Sequence, residues 1–189
     1  MVGVLAIQGS VIEHVAALKR AGADDVLEVR TVADLNRVDS LIIPGGESTT
    51  IGKLLKLEGL DREIIKRARG GMPIYGTCAG TILVAKKILG REKAGHLGLI
   101  DIEVERNAYG RQVDSFETEI SAPKVSLNPI KAIFIRAPKI LAAGKDVEIL
   151  AKYKGDTIMC RQGRILVSTF HPELTDDMSV HTYFLKMSE

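Results

Sequence analysis

The N-terminal half of the chain alternates between short apolar runs and segments with apolar residues at helical spacing. Residues 2–7 form a continuous apolar run of strand length, and residues 11–20 carry Val11, Val15 and Leu18 on one helical face before Ala21-Gly22. The same pattern predicts strands at 26–29, 41–43 and 74–75, one or two helices over 54–68 interrupted near Gly59, and a helix over 81–89. Strands that alternate with helices predict a parallel sheet covered on both faces.

The C-terminal half has a different pattern, dominated by short runs typical of strands. Strands are predicted at 100–104, 115–120, 132–135, 148–153, 157–160 and 164–169, with Gln162-Gly163 as a hairpin turn and a terminal helix over 178–187. No internal repeat, low-complexity segment or linker is evident. A length of 189 residues suits one well-buried domain, so we expect a single α/β domain over residues 1–189.

Composition and charge narrow the functional classes only a little. The 26 Lys and Arg residues nearly balance the 24 Asp and Glu residues, so no strong field favours nucleic acid or an anionic membrane surface as a partner. Residues 2–7 lack a basic n-region and are too short for a signal peptide or a membrane span, which predicts a cytoplasmic protein. In that reducing compartment Cys78 and Cys160 are expected as free thiols, Cys160 as a small core or surface residue.

The most informative motif is Gly76-Thr77-Cys78-Ala79-Gly80, between a short apolar run and a predicted helix. Flanking glycines allow a strand and a helix to cross closely in a sharp turn that exposes a nucleophile at the edge of the sheet. The N-terminus of a helix also favours the thiolate, which is the attacking form of cysteine. Alone, the motif fits a buried structural cysteine equally well.

A candidate base lies near the C-terminus, in the segment Phe170-His171-Pro172-Glu173-Leu174. A nucleophilic cysteine needs a base for its proton, and the base needs an acceptor that fixes its tautomer and stabilises its cation. His171 and Glu173 supply both groups, and Pro172 restricts the backbone between them. On its own, His-Pro-Glu is more often an ordinary turn.

A third element is Pro44-Gly45-Gly46-Glu47-Ser48, which follows a predicted buried strand. Consecutive glycines let backbone N–H groups approach a ligand, and Gly46 with Ala79 would form an oxyanion hole. The alternative is a plain strand-to-helix loop with Ser48 or Thr49 as the N-cap. In an open α/β sheet, ligands bind beyond the carboxyl ends of the strands. We therefore expect this turn, Cys78 and His171 to converge at one edge.

Together these three motifs resemble those of class I, triad-type glutamine amidotransferases. Further segments resemble, more narrowly, the family of glutaminase subunits of pyridoxal 5'-phosphate synthase; they are Ala6-Ile7-Gln8-Gly9, Glu13-His14, residues 106–117 and residues 134–138. The resemblance covers nearly the whole chain and implies a three-layer, flavodoxin-like sandwich with a mostly parallel central sheet. Residues 165–169 are more β-branched than the small-residue run of the family.

The resemblance implies hydrolysis of L-glutamine by a triad of Cys78, His171 and Glu173, with Gly46 and Ala79 as the oxyanion hole. It also implies glutamine contacts from Gly46, Glu47, Ser48, Arg106, Ile135 and Arg136. By charge, either arginine suits the substrate carboxylate and Glu47 suits its ammonium group. For each of these charged residues a solvated surface position is the alternative, and for Glu47 the electrostatics of a helix N-terminus is another.

Free ammonia is quickly protonated in water, so a glutaminase of this type is expected to dock onto an acceptor enzyme. The resemblance implies a synthase subunit in a large hetero-oligomer, and weak activity of the isolated glutaminase until docking arranges the oxyanion hole. The Gln8-Gly9 loop and the first helix are candidate docking elements. Three alternatives stay open. The chain could be the amidotransferase subunit for a different acceptor, a non-catalytic regulatory module on the same scaffold, or a general cysteine hydrolase.

No cofactor or metal is expected from the sequence. It contains no P-loop, dinucleotide or zinc fingerprint. His14 and His181 lie on predicted helices without a second ligand at metal-binding spacing, and both are expected to be structural or interface residues. His96 is expected in a loop.

Overall fold

The computed structural model describes residues 1–90, 96–106 and 115–188. Its strands are β1 (Val2–Leu5), β2 (Val26–Val29), β3 (Ser40–Ile43), β4 (Ile74–Thr77), β5 (Ala85–Ile88), β6 (Ile100–Glu105), β7 (Ser115–Ile120), β8 (Ile130–Ile135), β9 (Lys139–Ala143), β10 (Glu148–Tyr153), β11 (Asp156–Gln162) and β12 (Ile165–Ser168). Its helices are α1 (Val11–Arg20), α2 (Val32–Leu35), α3 (Ser48–Leu57), α4 (Leu60–Arg69), α5 (Ala79–Val84) and α6 (Ser179–Ser188), with a 3₁₀ turn at Pro172–Leu174.

One half of the central sheet is parallel, with the strand order β2-β1-β3-β4-β12. Ile74 in β4 is the register partner of Leu41 in β3 on one side and of Ile165 in β12 on the other. The strand β12 comes from the far end of the chain and pairs with β4 in the middle of the sheet. Because β3, β4 and β12 are neighbours and parallel, the residues that follow them meet at one edge.

The side chains of these strands alternate between two buried layers, as a sheet covered on both faces requires. In β3, Leu41 and Ile43 pack with α2, α3, α4 and α5, whereas Ile42 packs with α1 and α6. The same alternation places Ile74 and Tyr75 of β4 on opposite faces. The result is a three-layer arrangement around a mostly parallel sheet, which confirms the predicted fold class.

The other half of the sheet is mixed and continues from β12 through β11, β9, β6 and β5, with β10 paired to β11. The strands β11 and β12 form the predicted hairpin, in which Gln162 pairs with Ile165. The strands β7 and β8 form a separate antiparallel pair. Its buried face, including Phe134, packs in the same layer as α1 and α6. No helix in the described ranges is long and apolar enough to cross a membrane.

The helices predicted over 54–68 are present, but α3 begins earlier, at Ser48. Three further differences concern the elements themselves. The helix predicted over 81–89 ends at Val84, and Ala85–Ile88 forms β5 instead. Buried Ala85 and Ile88 are three residues apart, which mimics helical spacing, but the segment pairs in parallel with β6. The short helix α2 and the strand β9 were not predicted. The interruption near Gly59 is the boundary between α3 and α4, where Gly59 has a φ of 69°.

Candidate active site

Cys78 occupies a strained turn between β4 and α5. Its φ of 47° is in the left-handed region, which a residue with a side chain seldom adopts. A Cβ on Gly76 would lie 2.7 Å from the backbone carbon of Gly80, and a Cβ on Gly80 would collide with the carbonyl oxygen of Ile43. The two glycines of the motif are therefore required by the close crossing of strand and helix, as the elbow interpretation predicts.

His171 follows β12, and Glu173 lies in the 3₁₀ turn immediately after it. The Nδ1 atom of His171 is 2.7 Å from Oε1 of Glu173, and the Ser10 hydroxyl donates to the same oxygen at 2.8 Å. Both side chains are buried, the Glu173 side chain completely. Since ionised Glu173 only accepts hydrogen bonds, it holds His171 in the Nδ1–H tautomer and leaves Nε2 for another group.

The electrostatics of this pair favour an ion pair. Burial lowers the pKa of His171, but hydrogen bonds and charge interactions with Cys78 and Glu173 outweigh burial and raise the pKa above its usual value. Burial raises the pKa of Glu173, but the nearby His14 and His171, together with the Ser10 hydrogen bond, lower it to about 2. Glu173 is therefore an anion at neutral pH, as a carboxylate that stabilises an imidazolium must be.

Gly45 lies directly between the cysteine and the histidine. A Cβ at Gly45 would be 2.5 Å from Cε1 of His171 and 3.3 Å from Cβ of Cys78. The three segments that follow β3, β4 and β12 therefore converge at the carboxyl edge of the sheet. The structure brings together Cys78, His171 and Glu173 as expected, and a glycine at position 45 is required for their approach.

The proposed oxyanion donors, Gly46 and Ala79, both line the same cleft. On either side of Gly46, the Gly45 N–H donates to Thr77 Oγ1 at 3.0 Å and the Glu47 N–H donates to Gln8 Oε1 at 2.9 Å. Ala79 is the first residue of α5, and N–H groups in a first helical turn have no intrahelical acceptor. The position of these two residues suits their predicted role, which stays a prediction.

Glu47 is the N-cap of α3, which corrects the alternative that Ser48 or Thr49 serves as the cap. Its carboxylate accepts from the backbone N–H groups of Thr49 and Thr50 at 3.0 and 2.7 Å, and Arg106 donates to it at 3.1 Å. The hydrogen bond from the Thr50 side chain and those from the backbone lower the pKa of Glu47 to about 2. Ser48 is buried beside Glu47 at the cleft.

The remaining predicted substrate residues lie around the mouth of the cleft, whose volume is about 550 Å³. This volume is typical of small-molecule sites. Arg106 holds both Glu47 and the Thr49 hydroxyl. Ile135 and Arg136 are exposed at the end of β8, and Arg136 has a positive φ of 45°. Residues 107–114 of the segment that resembled the family lie outside the described residues.

Two histidines that were expected to be structural or interface residues are buried, His14 next to Glu173 and His181 next to His14. His14 and His181 are fully buried, and His14 Nε2 is 3.5 Å from Oε2 of Glu173. Their separation in sequence, on the first and last helices, gave no signal of this proximity. Cys160 is a buried residue of β11, and His96 lies outside helices and strands, as expected. Within the described ranges, no cluster of His, Cys, Asp and Glu has the arrangement of a metal site.

This fold, with its ligand cleft at the carboxyl edge, is that of the class I glutamine amidotransferases. The chain belongs to the SNO glutamine amidotransferase family, whose model matches residues 4–189. It is 50% identical over 186 residues to the pyridoxal 5'-phosphate synthase subunit PdxT of Thermotoga neapolitana, with 98% of each chain covered. It is 52% identical over 188 residues to the protein of the same name from Thermotoga maritima, again with 98% of each covered.

Solved structures agree with this assignment. A crystal structure described as a glutamine amidotransferase superposes with a TM-score of 0.94 at 46% identity, covering 99% of this chain and 98% of the other. A chain of the PurLQS structure from Thermotoga maritima superposes with a TM-score of 0.68 at 15% identity, covering 98% and 96%. The second match shows the fold alone. The family resemblance inferred from the motifs is thus confirmed.

Proposed function

We propose that this protein hydrolyses L-glutamine to L-glutamate and ammonia, and supplies the ammonia to a pyridoxal 5'-phosphate synthase. The observation that carries the proposal is the convergence of Cys78, His171 and Glu173 around Gly45 at the edge of the sheet. Family membership and the names of the relatives support the choice of glutamine and of the synthase. One catalytic domain over residues 1–189, acting in the cytoplasm, is part of the proposal.

In the first step, the sulfur of Cys78 attacks the side-chain amide carbon of glutamine while His171 holds the thiol proton. The N–H groups of Gly46 and Ala79 donate to the oxyanion that forms. The carbon–nitrogen bond then breaks, and His171 gives its proton to the leaving nitrogen, which departs as ammonia. Throughout, Glu173 orients His171 and balances its charge.

In the second step, water attacks the thioester that joins Cys78 to the glutamyl group. His171 takes a proton from this water, the carbon–sulfur bond breaks, and the sulfur leaves as a thiolate that recovers the proton from His171. L-glutamate is the product. His171 releases in each step the proton that it took up in that step, so the cycle needs no cofactor.

The substrate carboxylate and ammonium group are assigned to the mouth of the cleft, where Glu47, Ser48, Arg106, Ile135 and Arg136 lie. Arg136 is exposed, whereas Arg106 already holds Glu47 and Thr49. To bind the substrate carboxylate, Arg106 would have to give up these hydrogen bonds. We therefore assign the carboxylate to the exposed Arg136. Glu47 would accept from the substrate ammonium while it caps α3.

Docking of the synthase is assigned to the Gln8-Gly9 loop and α1, within a large hetero-oligomer. Gln8 holds the Glu47 N–H beside the oxyanion turn, and Ser10 holds the triad carboxylate. Ile12 on α1 is 78% exposed, and Ile135 and Leu174 are exposed around the cleft. Apolar residues around a polar cleft suit a protein partner that also excludes water. A shift of this loop on docking would therefore move both the turn that contains Gly46 and the contact to the Glu173 carboxylate.

The proposal is tested by ammonia release from L-glutamine, measured for the full chain with and without the cognate synthase subunit. We expect strong stimulation by the synthase and no turnover of L-asparagine. Absence of glutamine turnover in the complex would refute the function. Turnover of unrelated amides at similar rates would instead identify a general cysteine hydrolase.

The docking surface is tested by Ile12→Glu, with Leu57→Glu as the matched control, because Leu57 at the end of α3 is also 78% exposed. We expect Ile12→Glu to reduce synthase-stimulated activity at least about tenfold, since a buried unpaired charge is costly. The control should behave as the unmodified protein. Equal stimulation of both variants would remove α1 from the interface.

A further inference from the structure

A chain of buried polar side chains runs from the triad carboxylate into α1 and α6. His14 Nε2 lies 3.5 Å from Glu173 Oε2 and 3.1 Å from Thr77 Oγ1, and its Nδ1 lies 3.1 Å from His181 Nε2. Thr77 Oγ1 also accepts the Gly45 N–H at 3.0 Å. The side chain of His14 therefore contacts groups from three separate parts of the sequence.

The two carboxylate oxygens of Glu173 differ in their hydrogen bonds. Oε1 accepts from His171 and Ser10, whereas Oε2 is buried and has no hydrogen-bond partner among the described residues. A buried carboxylate oxygen without a donor is costly. The nitrogen within reach of Oε2 is His14 Nε2. A hydrogen on that nitrogen would relieve the deficit, whereas a lone pair there would add repulsion.

The partners of the two histidines fix their tautomers. Burial lowers the pKa of both His14 and His181, so each ring carries one hydrogen at neutral pH. If His14 carries its hydrogen on Nε2, its Nδ1 accepts from His181 Nε2–H. His181 Nδ1, which has no partner in the described residues, is then a bare acceptor. The opposite tautomers leave an unpaired N–H on His181 and a lone pair facing Glu173.

We propose, on the basis of the function proposed above, that His14 is a positioning residue whose Nε2–H bridges Glu173 Oε2 and Thr77 Oγ1. Through Glu173 it orients the base His171, and through Thr77 it fixes the Gly45 N–H beside the oxyanion turn. Thr77 immediately precedes Cys78, so the same contact also anchors the elbow. His181 acts one step further away, because its Nε2–H holds the tautomer of His14.

Activity of the synthase complex provides the first test, with His14→Leu, His14→Gln and the surface control His96→Gln. Glutamine places an amide N–H near the position of Nε2, so it preserves the donor that leucine removes. We expect His14→Leu to lower kcat about 10–100-fold with little change in KM, as loss of a supporting hydrogen bond does in other sites. His14→Gln should recover most of kcat, and His96→Gln should leave it unchanged.

Two outcomes would overturn the role of His14. If His14→Leu matches the unmodified protein, the contact has no effect on catalysis. If His14→Gln is as impaired as His14→Leu, a donor at this position is not what matters. In both cases the unmodified protein still hydrolyses glutamine, so the proposed function stands. Inactivity of the unmodified complex would instead refute the proposed function itself.

Nuclear magnetic resonance of the unmodified protein provides a second test that does not depend on the folding of any variant. Long-range correlations between ring carbons' hydrogens and ¹⁵N-labelled imidazole nitrogens report which nitrogen is protonated. We expect hydrogen on Nε2 of both His14 and His181. Hydrogen on Nδ1 of His14 would overturn the proposal, because Nε2 would then have no hydrogen to donate to Glu173.

Discussion

The two cysteines of the protein are both buried, but they differ in their position along a strand and in their neighbours. Cys160 is fully buried inside β11, where it pairs with Ile149 of β10 and Val167 of β12, and burial raises its pKa to about 12. Cys78 is 8% exposed, lies one residue beyond its strand, and faces a histidine across Gly45. Burial alone makes a thiol inert, so what sets Cys78 apart as the proposed nucleophile is its position at the end of a strand, beside a histidine.

The largest expected effect is on catalysis. Replacement of Cys78 by alanine should reduce ammonia release by at least about four orders of magnitude, because it removes the sulfur proposed to form the thioester. Cys160→Ala should retain activity within about twofold. Both are measured as initial rates in the synthase complex. Comparable losses in the two variants would mean that the environments of the thiols do not separate their roles.

The elbow that distinguishes Cys78 is tested by Gly80→Ala. The added Cβ meets the backbone carbonyl of Ile43, which cannot move aside as a side chain would. We expect a loss of about 3 kcal/mol or more in the free energy of unfolding, measured by urea denaturation. Gly155→Ala is the control, since Gly155 has a φ of 91° and open space around it. It should cost only about 1–2 kcal/mol.

The link between Cys78 and His171 is tested by titration. Because Cys78 contributes to raising the pKa of His171, Cys78→Ala should lower that pKa, whereas Cys160→Ala should not. A raised pKa adds stability that is complete below about pH 6.5, the usual value for histidine, and is lost as pH rises through about 10. The measurement is the ring signals of His171 against pH. If the pKa of His171 is unchanged in Cys78→Ala, Cys78 has no electrostatic influence on His171.

The smallest effect concerns Cys160 alone. Serine at this position would bury a hydroxyl among apolar side chains, so we expect a loss of about 1–2 kcal/mol in unfolding free energy. Glutaminase activity should be unaffected below the unfolding temperature. Thermal denaturation and initial rates measure the two quantities. If Cys160→Ser lowers activity without lowering stability, β11 contributes to the active site and Cys160 is not merely a core residue.

The parts of the site that the sequence predicted are those carried by short motifs with a mechanical reason. Gly76 and Gly80 predict the elbow, and His171 with Glu173 predicts a base and its acceptor. The Gly45-Gly46 turn predicted an approach of backbone N–H groups to a ligand, and the structure adds that Gly45 lets Cys78 and His171 approach each other. Each of these signals is local. The alternation of strands and helices in the first half of the chain predicted a parallel sheet whose carboxyl edge would collect these motifs, but the strand order, with β12 beside β4, was not predicted.

What the sequence did not predict depends on contacts between distant segments. The segment Ala85–Ile88 shows helical spacing of its buried residues, and only pairing with β6 makes it a strand. The strand β9 has exposed residues Leu141, Ala142 and Ala143 in succession, so it lacks the alternation that indicates a strand. By contrast, the Thr31–Asp34 capping box of α2 was visible in the sequence and was missed.

The insertion of β12 between β4 and β11 has a consequence for synthesis on the ribosome. The parallel strands β1 to β4 emerge early, but the edge of β4 stays without its final neighbour until residues 165–168 leave the exit tunnel. Throughout that interval the nascent chain exposes an apolar, unpaired strand edge, which is a template for aggregation. Cys78 is synthesised long before His171, so a chain that stalls between them carries the proposed nucleophile without its proposed base.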